Sequence, residues 1–157
     1  MSEPKAARRS VRLTEDEAWE AVTAAHTGIL TTIRRNGMPV STPIWFVVMD
    51  RKIYARTNAS SKKVARARHD QRATFLVEAG LRWAELRAVH MTGRISLLGE
   101  EDPLASTVDA ELERKYGAFR TASEAMPKAT RDHYAVPKTY LCLEAEGRIL
   151  TWDNRRL

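Results

Sequence analysis

The 157-residue chain is poor in everything that would staple, anchor or metallate it. A single cysteine, Cys142, excludes an internal disulfide and with it the cysteine frameworks of small secreted domains. No apolar run approaches the ~20 residues of a membrane-spanning helix, and the basic amino terminus is not followed by the hydrophobic stretch of a signal peptide. A cytoplasmic protein without a membrane partner is therefore expected. The four histidines, His26, His69, His90 and His133, show no paired spacing and no cysteine partner, so no metal site is expected either. There is no internal repeat, low-complexity stretch or linker to divide the chain.

What is present describes one globular domain. Hydrophobic residues make up 43% of the chain, and this length buries a core without covalent help. Lysine and arginine number 26 against 20 acidic residues, a formal charge of +6. Such a surplus invites an anionic partner, with nucleic acid among the options. Its location narrows the choice. Between Arg51 and Arg72 eight basic residues face only Asp70, a local +7, so the rest of the chain sums to −1. That segment offers no recognition-helix motif and no exposed aromatic platform, which weakens a nucleic-acid function and leaves none expected. A smaller cluster, Lys5, Arg8, Arg9 and Arg12, falls in a stretch of low apolar content. Residues 1–12 are expected to be a flexible basic tail ahead of a domain spanning 13–157.

The local signals follow one another in a clear order. Thr14 followed by Glu17 is a capping box that opens a helix over Thr14–His26, with Ala18, Trp19, Val22 and Ala25 on its apolar face. Gly28–Ile33 and Val40–Met49 are β-branched and aromatic runs separated by Arg34-Arg-Asn-Gly37, a hairpin signal. Asp50-Arg51 turns the chain into a strand at Lys52–Thr57, after which Lys62–His69 is helical. Ala73–Glu78 and Trp83–Leu98 are expected as strands, Pro103–Phe119 and Ala122–Arg131 as helices. Thr139–Ala145 and Arg148–Trp152 are expected to close the chain as a last hairpin around Glu146-Gly147. Strands outnumber helices and do not alternate with them. The fold class is mainly β (α+β): an antiparallel β-barrel with short helices, and the helical segment 103–131 inserted between barrel strands.

The segment Tyr54–Val64 carries the chemistry. A strand ends on Arg56 and Thr57, a polar loop follows, and a helix opens at Ser60 or Ser61 with Lys62 and Lys63 in its first turn. A helix amino terminus already bears about half a positive charge, so cations there are unfavourable unless an anion occupies the site. Free N–H groups, two serine hydroxyls and two or three cations make a phosphate cradle. A solvated basic turn with a serine cap is the plainer alternative. Elsewhere, Cys142 alternates with Leu141 and Leu143 and is expected to be an inert packing residue. Trp152 is weighed as a pocket residue, and Arg87 either pairs with Glu85 or reaches across an interface.

Gly28–Ile33, Asn36–Phe46, Ile53-Tyr-Ala-Arg-Thr57, Ser61-Lys-Lys63-Val and Ala65–Asp70 together resemble the flavin/deazaflavin split-barrel superfamily founded on the pyridoxamine-phosphate oxidases. Within it, Trp83–Val89 with Gly93-Arg, Arg114-Lys-Tyr-Gly117 and Trp152–Leu157 are similar to the B group of flavin/deazaflavin oxidoreductases. The resemblance runs from Leu13 to the end of the chain. It implies a homodimeric, FMN-binding type of split β-barrel with the cofactor in a groove at the dimer interface. The cofactor phosphate would rest on Arg56, Thr57, Ser61 and Lys63, with Pro43, Ile44 and Trp45 lining the ring and Lys62 or Val64 near the helix start. It implies an F420-dependent oxidoreductase that transfers a hydride to an electron-poor small molecule such as an enone, quinone, tetrapyrrole or imine. FMN is the alternative cofactor, and a cofactor-less ligand-binding barrel remains a further one. The acidic tail of coenzyme F420 could use Arg66, Arg68 or Arg72. The Arg-x-His that vitamin B6 oxidases use for their substrate is missing near the carboxyl terminus, and Asn154 stands where relatives commonly have histidine.

Overall fold

The computed structural model describes residues 10–157, so Lys5, Arg8, Arg9 and most of the expected tail lie outside the described residues. The chain opens with α1 (Glu15–Ala24), which begins on the expected capping box: Thr14 Oγ1 accepts from the Glu17 N–H, and the Glu17 carboxylate accepts from the Thr14 N–H. Strands β1 (Gly28–Ile33) and β2 (Pro39–Ile44) form the hairpin around Asn36-Gly37, where Gly37 takes a φ of 85°. Then come β3 (Val47–Met49) and β4 (Lys52–Asn58), joined through Asp50 and Arg51 at φ 49° and 55°, the tight turn that matches strand twist. Helix α2 (Lys62–His69) leads into β5 (Arg72–Ala79) and the long β6 (Arg87–Leu98). Helices α3 (Pro103–Tyr116) and α4 (Lys128–Tyr134) precede β7 (Lys138–Ala145) and β8 (Leu150–Asp153).

All strand pairs are antiparallel, in the order β2-β1-β5-β6-β7-β4-β3, with β8 also on β6. The sheet curls into a half-barrel with short helices around it, the split-barrel, α+β architecture. The helical segment lies between β6 and β7, which pair directly, so it is an insertion as expected. No helix among the described residues is long and apolar enough to cross a membrane.

Two apolar clusters hold the fold together. The barrel interior packs Val22 of α1, Phe46, Ile53, Val64, Phe75, Met91 and Leu141. The second cluster covers the outer face of β3, β4 and β7, where Val47, Tyr54, Tyr140 and Cys142 meet Ala105, Val108, Leu112 and Tyr116 of α3. The period-two alternation along β4 and β7 sorts neighbours such as Ile53 and Tyr54 into opposite clusters. Cys142 is buried under α3, the packing position expected of it. At Gly93 the backbones of β6 and β7 come so close that a Cβ would stand 2.0 Å from the Glu144 carbonyl oxygen.

The structure corrects the expected elements in four places. The helix expected at Ala122–Arg131 is a 3-10 turn at Ser123–Ala125 followed by α4 beyond Pro127. The run Val40–Met49 is not one strand: Trp45 and Phe46 interrupt it, because the Phe46 peptide is bonded by the Tyr116 hydroxyl instead of a neighbouring strand. Trp83–Glu85 forms a 3-10 turn ahead of β6, capped by the Glu85 carboxylate accepting from the Leu81 and Arg82 N–H groups. The last two strands make no hairpin with each other. β7 and β8 lie along successive stretches of the same edge of β6, partnering Gly93–Leu98 and Arg87–His90.

Candidate functional site

The end of β2, the end of β4, the first turn of α2 and the chain between α3 and α4 enclose a cleft of about 820 Å³. Pro43, Ile44 and Trp45 reach it from β2 and the break that follows, Arg56 and Thr57 from β4, and Ser61, Lys62 and Lys63 from the start of α2. These candidates, separated by up to twenty residues in sequence, line one cleft. Val64 does not join them. Its side chain is wholly buried in the barrel core and its N–H donates to the Ser61 carbonyl, so the role implied for it gives way to packing.

The helix start is cationic without local compensation. Ser61 is the N-cap residue of α2, yet its hydroxyl caps nothing and instead accepts from Thr57 Oγ1 at 3.4 Å. No acidic residue stands in the first turn. The N–H groups of Lys62 and Lys63 have no acceptor within the helix, as the geometry of any helix start dictates. Burial, and then the Arg66 guanidinium, press the Lys63 ammonium below its ordinary pKa, with no carboxylate opposing them. A cation held this way gains most from an anion bound in direct contact with it.

Arg56 is different. Its Nη1 donates to Asp109 of α3 at 2.9 Å, and the Tyr140 hydroxyl donates to the other oxygen of the same carboxylate at 2.8 Å. Arg56 therefore borders the cleft as half of an ion pair. Among the outer arginines, Arg72 is bound by Asp70 and Arg66 donates to Thr32 Oγ1 at 2.7 Å.

Lys138 is a cleft residue for which the sequence carries no local signal. It begins β7, and the register pairs it with Asn58 at the end of β4. Its ammonium donates to Asn58 Oδ1 at 2.8 Å and to the Tyr134 carbonyl, while burial, followed by nearby Arg56, lowers its pKa. An aromatic cluster adjoins the cleft at Trp45 and Phe119. Trp45 stacks on Tyr116 with ring centroids 4.4 Å apart and an interplanar angle of 3°, and His26 meets Trp45, Tyr116 and Phe119 edge to face. Phe119, Met126 and His133 from the insertion complete the lining of the cleft.

Trp152 and Arg87 lie elsewhere. Trp152 pairs with Ala88, away from the cleft, and Arg87 lines a second groove of about 780 Å³ with Asp153 and Arg155. Asn154 has a structural task, donating to the Trp83 carbonyl at 2.8 Å.

Pro43, Ile44 and Trp45 in one cleft with a cationic helix start suit a ring with a phosphate-bearing arm. The family model described as pyridoxamine 5'-phosphate oxidase matches residues 14–147. The chain belongs to that family. No curated protein matches it. Among solved structures, Rv2991, a conserved hypothetical protein of Mycobacterium tuberculosis, is similar at 29% identity and a TM-score of 0.77, covering 95% of this chain and 90% of its own. HutZ, the heme storage protein of Vibrio cholerae, is similar at 12% identity and a TM-score of 0.68, over 88% of this chain and 94% of its own. An F420 reductase is similar at 15% identity and a TM-score of 0.59, over 82% of this chain and 92% of its own. At such identities the last two share the fold alone with this chain.

Proposed function

We propose that the chain is an F420-dependent oxidoreductase of the flavin/deazaflavin B group, acting in the cytoplasm on an electron-poor small molecule. The observation that carries this reading is the uncompensated pair Lys62 and Lys63 on the first turn of α2, lining one cleft with Trp45, whose ring stacks on buried Tyr116. The α2 N–H groups, Ser61, Thr57, Lys62, Lys63 and Lys138 would hold the phosphodiester. Pro43, Ile44 and Trp45 would orient the ring and keep water from it. When bound in reduced form, the cofactor supplies a hydride, and a proton from solvent completes the reduction of the substrate. The chain's own contribution is binding, orientation and exclusion of water, in keeping with a cleft whose described residues include no nucleophile paired with a base.

A homodimer is part of the same proposal. Strand β2 is an edge strand, and the burial along it alternates between exposed and half-buried with no residue fully covered, which leaves the cofactor-facing edge open to a second copy. The structural neighbours include a heme storage protein as well as an F420 reductase, so the ligand has to be tested directly. Titration of the purified protein with oxidised F420, followed by its fluorescence, is expected to saturate at micromolar concentration. A protein that purifies yellow and ignores F420 at tens of micromolar would overturn the F420 assignment in favour of FMN.

A further inference from the structure

The Phe46 peptide sits where the sheet lets go of the chain between β2 and β3, and two consecutive residues of α3 take hold of it. The Phe46 N–H donates to Tyr116 Oη at 2.9 Å, and Tyr116 Oη lies 2.8 Å from both the Phe46 and the His26 carbonyl oxygens. A phenol has one proton for those two acceptors. The second donor is Lys115, whose Nζ is 3.1 Å from the Phe46 oxygen and 3.5 Å from the carbonyl of Thr23. Thr23 lies in the last turn of α1, which has no basic residue of its own, so the ammonium also complements the negative end of that helix. The same ammonium stands 4.0 Å above the Phe46 ring.

Everything Lys115 touches is neutral, and the one charge beside it, Arg114, has the same sign. Burial, followed by Arg114, pushes its pKa down to about 8. A spacer at this place could be any long apolar side chain at less cost. What an ammonium adds over such a spacer is donation to the Phe46 and Thr23 carbonyls, and the Phe46 carbonyl is the nearer of the two.

Holding it has a consequence for the cleft. Phe46 goes inward, fully buried against Phe75, while Trp45 goes outward and lies flat on the Tyr116 ring. The break in the strand, the inward Phe46 and the outward Trp45 thus share one anchor. We propose that Lys115 and Tyr116 are positioning residues that clamp the Phe46 peptide and thereby hold Trp45 as the ring-facing wall of the cleft. The part of this inference that concerns affinity rests on the F420 reading above, and the part that concerns Trp45 does not.

The test uses the full chain labelled with 5-fluorotryptophan, whose four fluorine resonances are assigned by loss of one in W45F. In K115M the Trp45 resonance is expected to shift or broaden while those of Trp19, Trp83 and Trp152 stay in place, and K115R is expected to restore it because a guanidinium can donate to the same carbonyl. F420 affinity should fall about 10-fold in K115M and return to within about 3-fold of the parent in K115R, the size expected for one charged hydrogen bond. Y116F, which removes the phenol proton but keeps the stacked ring, gives a second reading of the same clamp if K115M folds poorly, and its Trp45 resonance should move likewise. An unmoved Trp45 resonance in folded K115M and Y116F overturns the clamp, whatever their melting temperatures. If the parent does not bind F420, the functional proposal fails and the fluorine result still decides this one.

Discussion

The first turns of α1 and α2 are the same structural object with opposite chemistry. α1 opens with Glu15, Asp16 and Glu17 behind a reciprocal capping box, so its free N–H groups and positive end are met from within the chain. α2 opens with Lys62 and Lys63 behind a serine whose hydroxyl caps nothing. The second start is therefore incomplete as an isolated element, and it faces the cleft, whereas the first packs beside the Arg51 turn through ion pairs to Glu15 and Asp16. A helix end that its own sequence leaves electrostatically unfavourable is one that a bound anion would stabilise.

The contrast is tested most severely by making the second start resemble the first. K62E/K63E is expected to weaken F420 binding more than ~100-fold while raising the melting temperature, since acidic residues suit a helix start. A melting temperature that falls would show that the lysines stabilise the apo fold and are not reserved for a ligand. K63A alone should cost about 1–3 kcal/mol of cofactor affinity with the fold intact. F420 bound by K63A as by the parent would remove Lys63 from the phosphate site.

D109N frees Arg56 from its ion pair, and fluorescence titration should then show F420 bound roughly 3-fold to 10-fold tighter, the gain of one charged donor. Unchanged affinity would place the Arg56 guanidinium outside the ligand's reach. T14A attacks the other start. It should lose about 1 kcal/mol of stability in urea denaturation and leave F420 affinity untouched.

A dependence on pH is expected at Asp153, held by Arg155 so that its pKa is lowered to about 2 from 3.8. The folded value lies below the unfolded one, so its stabilisation is complete above the unfolded pKa of 3.8 and is lost as the pH falls towards 2. Relative to D153N, the wild type should lose stability through that acid window. Equal slopes in the two proteins would mean that the Arg155 contact contributes nothing.

Much of this was legible along the chain. The capping box at Thr14, the turns at Asn36-Gly37 and Asp50-Arg51 and the bounds of α2 at Lys62–His69 are contacts within a few residues, so local spacing suffices to find them. That Arg56, Thr57, Ser61, Lys62 and Lys63 would lie together was legible for the same reason, since Ser61, Lys62 and Lys63 are adjacent and Arg56 and Thr57 are one loop away. Val64 was misplaced because its neighbours predict proximity to a site, whereas the helical turn aims its side chain into the core. Lys138 was invisible because only the pairing of β4 with β7 brings it beside Asn58, across eighty residues of sequence.

Periodicity, caps and turn residues act over a few positions, and they were enough to specify a mainly antiparallel β fold with short helices and the concentration of positive charge at residues 51–72. Long-range packing was needed to tie Arg56 to Asp109, to dock β8 on β6, and to let Tyr116 and Lys115 interrupt the strand at Trp45. Each of these depends on which distant donor reaches which acceptor. For Arg56, Lys115 and Tyr116 that competition is resolved only when α3 packs on the outer face of β3, β4 and β7.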